Sequence, residues 1–436
     1  MPKPKSLYVC GSCGYESPHW VGQCPECKSW NTFSEEVIIP FNKSRGKTRL
    51  PTSKPVYLSK ISAKSPERIS SKIGEFDRVL GGGFVPGQVV LLGGSPGIGK
   101  STLVTEIAKQ MSTVDILYIC GEESPDQIKL RADRMHYSAK NLLMLSETNV
   151  DAIVSAIEDS KGLGFAVIDS IQTLYSEDFA GTAGSISQIK GCTQILTNTA
   201  KRLGVPLVLI GHITKEGVVA GPKILEHVVD TVLYLEGDSQ YLYRLLRTTK
   251  NRFGPVSEVG IFEMTEGGMT EVLSPSDLFL SQTQGVSSGS CLTVIMEGYR
   301  PILFEVQALT VRTAFGYPRR TTSGFSNNRL LVLIAILEKR AGLDLSAHDV
   351  YLSVAGGFKI NEYAADLAVC LAIASSIKDK PIKSKTVAFG ECGLSGEVRK
   401  VPHLEKRVKE AKKLGYKNII DPGVAKNLKE ALKLAF

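Results

Sequence analysis

The stretch that most constrains this chain is Gly94-Ser95-Pro96-Gly97-Ile98-Gly99-Lys100-Ser101. It satisfies the pattern G-x-x-x-x-G-K-[ST] without a gap. The apolar run Val89-Val90-Leu91-Leu92 before it predicts a buried strand, and Thr102–Met111 after it predicts a helix. A strand that turns through glycines into a helix start aims several N–H groups at one point, and the helix dipole favours an anion there. The residues expected to hold nucleotide run from Gly94 through Ser95, Pro96, Gly97, Ile98, Gly99, Lys100 and Ser101 to Thr102. Lys100 is expected on the outer phosphates and the Ser101 hydroxyl on Mg²⁺. A chance Gly-rich turn would not carry both flanks. The expected activity is ATP hydrolysis, with ATP and Mg²⁺ bound.

A chain of 436 residues has room for two or three domains. Its apolar and charged fractions are those of a globular protein in water. No apolar run reaches 18 residues, so no membrane span is expected. The start, Met1-Pro2-Lys3-Pro4-Lys5, leads into a polar stretch with no apolar signal core, and a cytoplasmic location is expected. The net charge of +8 is concentrated. Between Lys43 and Lys72 nine Lys or Arg face one acid, Glu67, in a Ser- and Pro-rich background. That composition predicts a solvated linker, or one that also tracks a phosphate backbone.

Four of the nine cysteines are patterned. Cys10-x₂-Cys13 and Cys24-x₂-Cys27 can bring four thiolates into a tetrahedron around Zn²⁺. The spacing resembles a zinc ribbon. A closed four-thiolate site leaves no open position for catalysis, so a structural or binding role is expected. His19 lies between the pairs and is not needed as a ligand. Both tryptophans, Trp20 and Trp30, fall in the same module, which is too short for a large core and must lean on metal and aromatics. Cys120, Cys192, Cys291, Cys370 and Cys392 are scattered in apolar surroundings and are expected in the core.

From Ile73 to about Leu273 strand-like runs alternate with helical stretches, the pattern of a parallel α/β sheet. Asp115–Cys120 predicts a strand with Glu122 and Glu123 just past its end. Hydrolysis needs a carboxylate to orient or deprotonate water, and Glu122 is the first candidate with Glu123 in reserve. A solvated acidic turn would look the same. Gly164–Asp169 is a buried run ending in a carboxylate, the Walker B form, with Asp169 expected to hold Mg²⁺. Pro206–His212 ends in a polar residue that can sense the γ-phosphate, although a core or surface histidine fits too. Two Gly-rich loops, Ser176–Lys190 and Thr214–Lys223, can grip a second ligand or be mere connections. Asp230–Glu236 and Tyr241–Arg247 predict a hairpin whose second strand runs into Lys250-Asn251-Arg252-Phe253-Gly254. Two cations around an asparagine suggest anion contact, or a charged turn.

A Ser/Gln/Gly-rich stretch, 274–288, predicts a boundary. Beyond it, Leu292–Val311 reads as strands, and Asn328–Arg340, Ala364–Ile377 and Leu404–Leu414 read as helices. The Leu404–Leu414 helix carries Lys406, Arg407, Lys409, Lys412 and Lys413, expected as a solvated face or a DNA-facing one.

Taken in order, the four-Cys ribbon, the P-loop preceded by Asp77-Arg78-Val79-Leu80-Gly81-Gly82-Gly83, the Lys250–Gly254 motif and the C-terminal unit resemble the bacterial RadA/Sms family of DNA repair ATPases. The resemblance implies an α/β fold in three parts: an N-terminal zinc ribbon (1–34), a RecA-like P-loop ATPase core with a mostly parallel central sheet (71–273), and a Lon-protease-like domain (274–436). A basic linker occupies 35–70. It implies a DNA-dependent ATPase that processes recombination intermediates by helicase-like translocation and branch migration. The expected partners are single-stranded and branched DNA, a recombinase and replication proteins. The expected assembly is a head-to-tail ring, a hexamer. On this resemblance Glu122 activates water, His212 senses the γ-phosphate, and the two Gly-rich loops line a DNA channel. Lys250 and Arg252 are then catalytic or DNA-binding residues that reach a neighbouring subunit.

The C-terminal unit resembles a Lon protease domain without its Ser-Lys dyad. Ala364 falls where the serine would align, and Glu405, next to Lys406, where the lysine would. A Lon-type ATP-dependent protease is therefore disfavoured, and the domain is expected to serve assembly and DNA binding. A RecA-like signalling ATPase is the other alternative, disfavoured by the ribbon and the basic linker.

Overall fold

The structure, a computed structural model, describes residues 5–10, 15–26, 28–38, 57, 59, 67–212, 225–237, 242–274, 276, 287–314 and 316–436. The loop Thr214–Lys223 and the two thiols Cys13 and Cys27 lie outside the described residues. The chain divides into two units, Met1–Glu271 and Val272–Phe436.

In the first unit, β1 (Lys5–Cys10), β2 (Glu16–Ser17) and β3 (Phe33–Ile38) form a small antiparallel sheet in the order β2-β1-β3. Its apolar core is Cys10, Cys24 and Phe33, with Tyr8 packed against it.

The ATPase region follows as α1 (Gly74–Leu80), β4 (Val89–Gly94), α2 (Lys100–Gln110), β5 (Asp115–Cys120), α3 (Pro125–Arg134), β6 (Leu142–Leu145), α4 (Val150–Asp159) and β7 (Leu163–Asp169). It continues with α5 (Ile186–Leu203), β8 (Leu207–His212), β9 (Thr231–Glu236), β10 (Tyr243–Asn251), β11 (Val259–Thr265) and β12 (Gly268–Glu271). These strands make one sheet of order β12-β11-β10-β9-β4-β8-β7-β5-β6. The six strands from β9 to β6 are parallel, and β10–β12 add antiparallel at one edge. The predicted hairpin is β9–β10, with Leu245 opposite Glu236.

The parallel strands read as unbroken apolar runs because both faces are covered. Alternate residues sort into two clusters. Val90, Leu92, Ile116, Tyr118 and Val167 pack on Leu103, Val104 and Ile107 of α2 and Ile128 of α3. Val89, Leu91, Leu117, Ile119 and Ile168 pack on Ile153 and Ile157 of α4 and Cys192 and Leu196 of α5. The helix starts are marked locally: Ser124 caps α3 in a reciprocal box with Gln127, and Pro125 follows. The loop read as Ser176–Lys190 is shorter than expected, because Ser185 caps α5 and helix begins at Ile186. Gln188 then closes that loop with bonds to both Ser176 backbone groups.

The second unit contains β13 (Ser290–Glu297), β14 (Arg300–Arg312), β15 (Arg320–Ser323), α6 (Asn327–Ile336), β16 (His348–Val354), α7 (Asp366–Ile377), β17 (Thr386–Ala388), β18 (Glu391–Cys392), β19 (Val398–Arg399), α8 (Leu404–Lys413), β20 (Asn418–Ile420) and α9 (Leu428–Ala435). Its main sheet has the order β15-β16-β14-β13-β17-β20. Helix α7 is the interior helix, buried from Asp366 to Ser375. The five scattered cysteines are all buried.

One expectation for α8 is overturned. Arg407 does not join the solvated lysines; it is fully buried. Its guanidinium donates to both oxygens of Glu362 at 2.7 Å, to Pro402 O at 3.1 Å, and to Val294 O. Those acceptors pull it inward, since a charge enters a core only when paired. Lys406 instead lies over the Tyr299 ring at 4.6 Å. Glu405 is exposed in the first turn of α8, whereas Ala364 is buried in an apolar cluster with Val401 and Phe389. No nucleophile stands at that position.

Candidate nucleotide site

The site is built at the carboxyl ends of β4, β5, β7 and β8, where open α/β sheets place their ligands. Strand β4 ends at Gly94 and the chain turns through an exposed crest, Pro96 and Gly97, before Ile98 dips back into the core. At Gly94 an added Cβ would stand 2.7 Å from Leu235 O of the neighbouring strand. Gly99, at φ +110°, occupies a backbone region that other residues avoid, and it caps α2. The buried Arg244 of β10 donates its Nε–H to Ile98 O at 3.1 Å, which pins the loop from the sheet side. Thr102 lies half-buried in the first turn of α2.

Lys100 is nearly buried, and its ammonium donates to Gly94 O at 3.0 Å and Ser95 O at 3.1 Å. It also approaches His212 Nδ1 at 3.1 Å, while His212 Nε2 lies 2.7 Å from Glu122 Oε2. The tautomer follows from the partners. A carboxylate only accepts, so Nε2 carries the proton, and an ammonium only donates, so Nδ1 offers its lone pair. His212 thus bridges Lys100 and Glu122. Burial pulls the Lys100 pKa below its usual range, and the charges of Asp169 and Glu122 pull it partly back.

Asp169 ends β7 and is 3% exposed. Its Oδ2 accepts from Ser101 Oγ at 2.9 Å and from the Tyr118 hydroxyl at 2.5 Å. Burial raises the Asp169 pKa and those two donors restrain the rise. The same burial, with Asp169 nearby, pushes the Cys120 thiol to about 11. Gly121 and Glu122 donate their N–H groups to Asp169 O at 2.7 and 3.2 Å, which brings the Glu122 turn beside Asp169. One ligand atom each from Glu122, Asp169 and His212 fall within 4.8 Å of one another. The oxygen pair Ser101–Asp169 suits Mg²⁺, which takes hard oxygen donors. The two glutamates separate clearly: Glu122 faces His212, whereas Glu123 is held by Arg131 through both oxygens, at 2.5 and 2.6 Å.

Lys250 and Arg252 are not brought to this site. Asn251 pairs with Thr231 at the start of β9, and Thr231 pairs with Val90 at the start of β4. The motif therefore sits toward the opposite end of the strands from Gly94, about 13 Å away along the four residue steps from Val90 to Gly94. There Lys250 donates to Val229 O at 2.8 Å and to Glu226 O. Arg252, with half its side chain exposed, reaches the buried Asp230 at 3.1 Å. Asn251 and Gly254 tie the motif to the end of α1. Asn251 donates to Leu80 O and accepts from Phe253 N, and Gly254 lies so close to Gly81 that a Cβ on it would stand 3.1 Å from the Gly81 Cα. Arg68, counted with the basic stretch by composition, donates to Leu80 O, Gly83 O and Phe253 O and locks this corner.

Sequence reading missed Tyr118, Arg131 and Arg244. The only local signal for Tyr118 is its parity with Cys120 on β5, which places it on the α2 face; its partner lies 51 residues away.

In the ribbon, Cys10 and Cys24 are both fully buried; Cys10 N donates to Tyr15 O and Cys24 N to Ser29 O. Two buried thiols in so small a core fit a thiolate metal site.

Three family models match the chain. One described as a rubredoxin metal binding domain covers residues 8–35, one described as an AAA domain covers 57–218, and one described as subunit ChlI of Mg-chelatase covers 321–424. The chain is 50% identical over 428 residues to the DNA repair protein RadA of Bacillus subtilis (strain 168), spanning 97% of this chain and 93% of that protein. It is 47% identical over 425 residues to the protein of the same name from Listeria monocytogenes, spanning 96% and 92%. Among solved structures, a KaiC-like protein, PH0186 from Pyrococcus horikoshii OT3, aligns at 21% identity over 48% of this chain and 99% of its own, with a TM-score of 0.39. The fold is thus a zinc ribbon, a P-loop ATPase with a mostly parallel sheet, and a ChlI- and Lon-like α/β domain. With half of its residues identical over nearly the full length of both proteins, this chain belongs to the RadA family of DNA repair proteins.

Proposed function

We propose that this protein is a DNA-stimulated ATPase that works as a head-to-tail ring, a hexamer, in the cytoplasm. It uses ATP to move single strands through branched recombination intermediates, alongside a recombinase and replication proteins. The observation that carries this reading is the separation within one chain. Lys100, Glu122, Asp169 and His212 meet at one end of the strands, while Lys250 and Arg252 lie toward the other. In this reading a further cation, one that stabilises transition-state charge on the transferred γ-phosphoryl group, comes from the next subunit, and hydrolysis is coupled to subunit movement. Around Asp230 stand Lys201 at 3.5 Å and Arg252 at 3.1 Å, both half-exposed, so positive charge remains to be presented.

In this reading the P-loop amides and Lys100 hold the triphosphate. Ser101 and Asp169 hold Mg²⁺, which when bound neutralises charge on the β- and γ-phosphates. Glu122 Oε2 orients and deprotonates the attacking water. His212, placed between Lys100 and Glu122, reports the γ-phosphate to the chain that follows β8. The four thiolates Cys10, Cys13, Cys24 and Cys27 hold a structural zinc. The basic stretch from Lys43 adds phosphate contacts, so DNA affinity falls steeply with salt.

Subunit mixing tests the shared site. Lys100→Ala and Arg252→Ala proteins are each expected to be nearly inactive. Mixed and reassembled, they regain a fraction of turnover, because some interfaces pair an intact P-loop with an intact Arg252. Full activity of Arg252→Ala alone, or no recovery on mixing, would overturn it. The glutamates give a second test: Glu122→Gln lowers ATP turnover about a hundred-fold with nucleotide binding kept, whereas Glu123→Gln costs less than ten-fold.

A further inference from the structure

Tyr118 is a core residue of β5, outside the P-loop, yet its hydroxyl is the buried partner of Asp169. The ring sits in the cluster of Ile116, Leu103 and Val104 and is 0% exposed. A phenylalanine would fill that core equally well. The hydroxyl is therefore not there for packing, and a buried hydroxyl must find a partner. Its partner is Asp169 Oδ2, the same oxygen that accepts from Ser101 Oγ. Among the described residues no hydrogen bond engages the other oxygen, Oδ1. Arg131 and Glu123 lie near enough to act electrostatically on the phenol, and Glu123 holds Arg131 in place.

We infer that Tyr118 is a positioning residue for the magnesium–nucleotide complex: its hydroxyl fixes the rotation of the Asp169 carboxylate and leaves Oδ1 for the metal's water shell. When the Ser101 hydroxyl turns to the metal, Tyr118 becomes the one side-chain donor that still holds Oδ2. Partners of this kind orient a ligand without touching the metal, and losing one typically weakens metal affinity about 10- to 100-fold. The inference rests on Asp169 being the magnesium-holding carboxylate.

The test is a titration of full-length protein with Mg²⁺ at fixed fluorescent ATP analogue, reading nucleotide binding and not turnover. Tyr118→Phe is expected to raise the Mg²⁺ concentration for half-maximal binding about tenfold, with excess Mg²⁺ restoring the plateau. Tyr118→Leu, which also lacks the hydroxyl but leaves a cavity in the core, is expected to shift the midpoint in the same direction and, unlike Tyr118→Phe, to lower the melting temperature. Thermal melting without nucleotide is expected to stay near wild type for Tyr118→Phe, which separates positioning from folding. In the Asp169→Asn background, Tyr118→Phe is expected to add nothing. An unchanged midpoint in Tyr118→Phe, or a full additional loss on top of Asp169→Asn, overturns the inference. If Asp169→Asn alone leaves the Mg²⁺ dependence unchanged, the reading of Asp169 itself fails, which is a distinct result.

Discussion

Replacing Lys100 with alanine is expected to lower ATP turnover about a thousand-fold, the upper end of the range for removing a single preorganised donor from a transition state. The effect is large because this ammonium is nearly buried and already aimed. It is held by Gly94 O, Ser95 O and His212 within the curve of the loop where phosphates are to lie. Its loss also releases His212, whose other nitrogen contacts Glu122, so two further groups lose their alignment at once. Steady-state hydrolysis with and without single-stranded DNA measures it. Under the ring model, stimulation by DNA and strand movement disappear together with basal turnover. A variant that still migrates branches would remove the motor reading.

The second large effect is predicted in the C-terminal domain. Glu362→Ala is expected to destabilise that domain by about 3–5 kcal/mol, since it leaves the buried Arg407 guanidinium unpaired. Arg407→Met is expected to cost less. Glu362 keeps a quarter of its side chain in water and can rehydrate, whereas Arg407 is fully enclosed and cannot. At a few degrees per kcal/mol for a domain of this size, the two variants differ visibly in thermal melting. The reverse order, with Arg407→Met the worse, would show that the contacts to Val294 O and Pro402 O outweigh the pair.

The legible parts of this protein are those whose chemistry depends on neighbours along the chain. The P-loop is eight consecutive residues because the amides of one turn must converge on one anion. The ribbon is legible as two C-x₂-C pairs because thiolates three residues apart can reach one metal. Asp169 was readable as the polar end of an apolar run. The two faces of the ATPase sheet were legible as alternation, and Cys192 and Cys370 as core residues.

The illegible parts depend on residues far apart. Glu122 and Glu123 are adjacent and chemically identical in sequence. Only the fold turns one toward His212 of β8 and gives the other to Arg131 of α3. Arg407 looks like one cation among lysines until the chain brings Glu362 beneath it, and its burial then follows from pairing. The motif from Lys250 to Gly254 announces cations and an asparagine, but not their position.

What the sequence by itself determined is the inventory: a P-loop, a carboxylate at the end of an apolar run, two C-x₂-C pairs, and a family whose members are DNA repair proteins. What only the tertiary structure decided is the pairing. The sheet order sets β4, β5, β7 and β8 side by side, so Lys100, Tyr118, Asp169 and His212 meet although 112 residues separate the first from the last. The antiparallel run of β10 carries Lys250 and Arg252 toward the far end of the strands, beyond reach of their own P-loop. The reason is geometric: spacing along a chain fixes contacts only within a turn or a knuckle, and all longer contacts are set by strand order and direction.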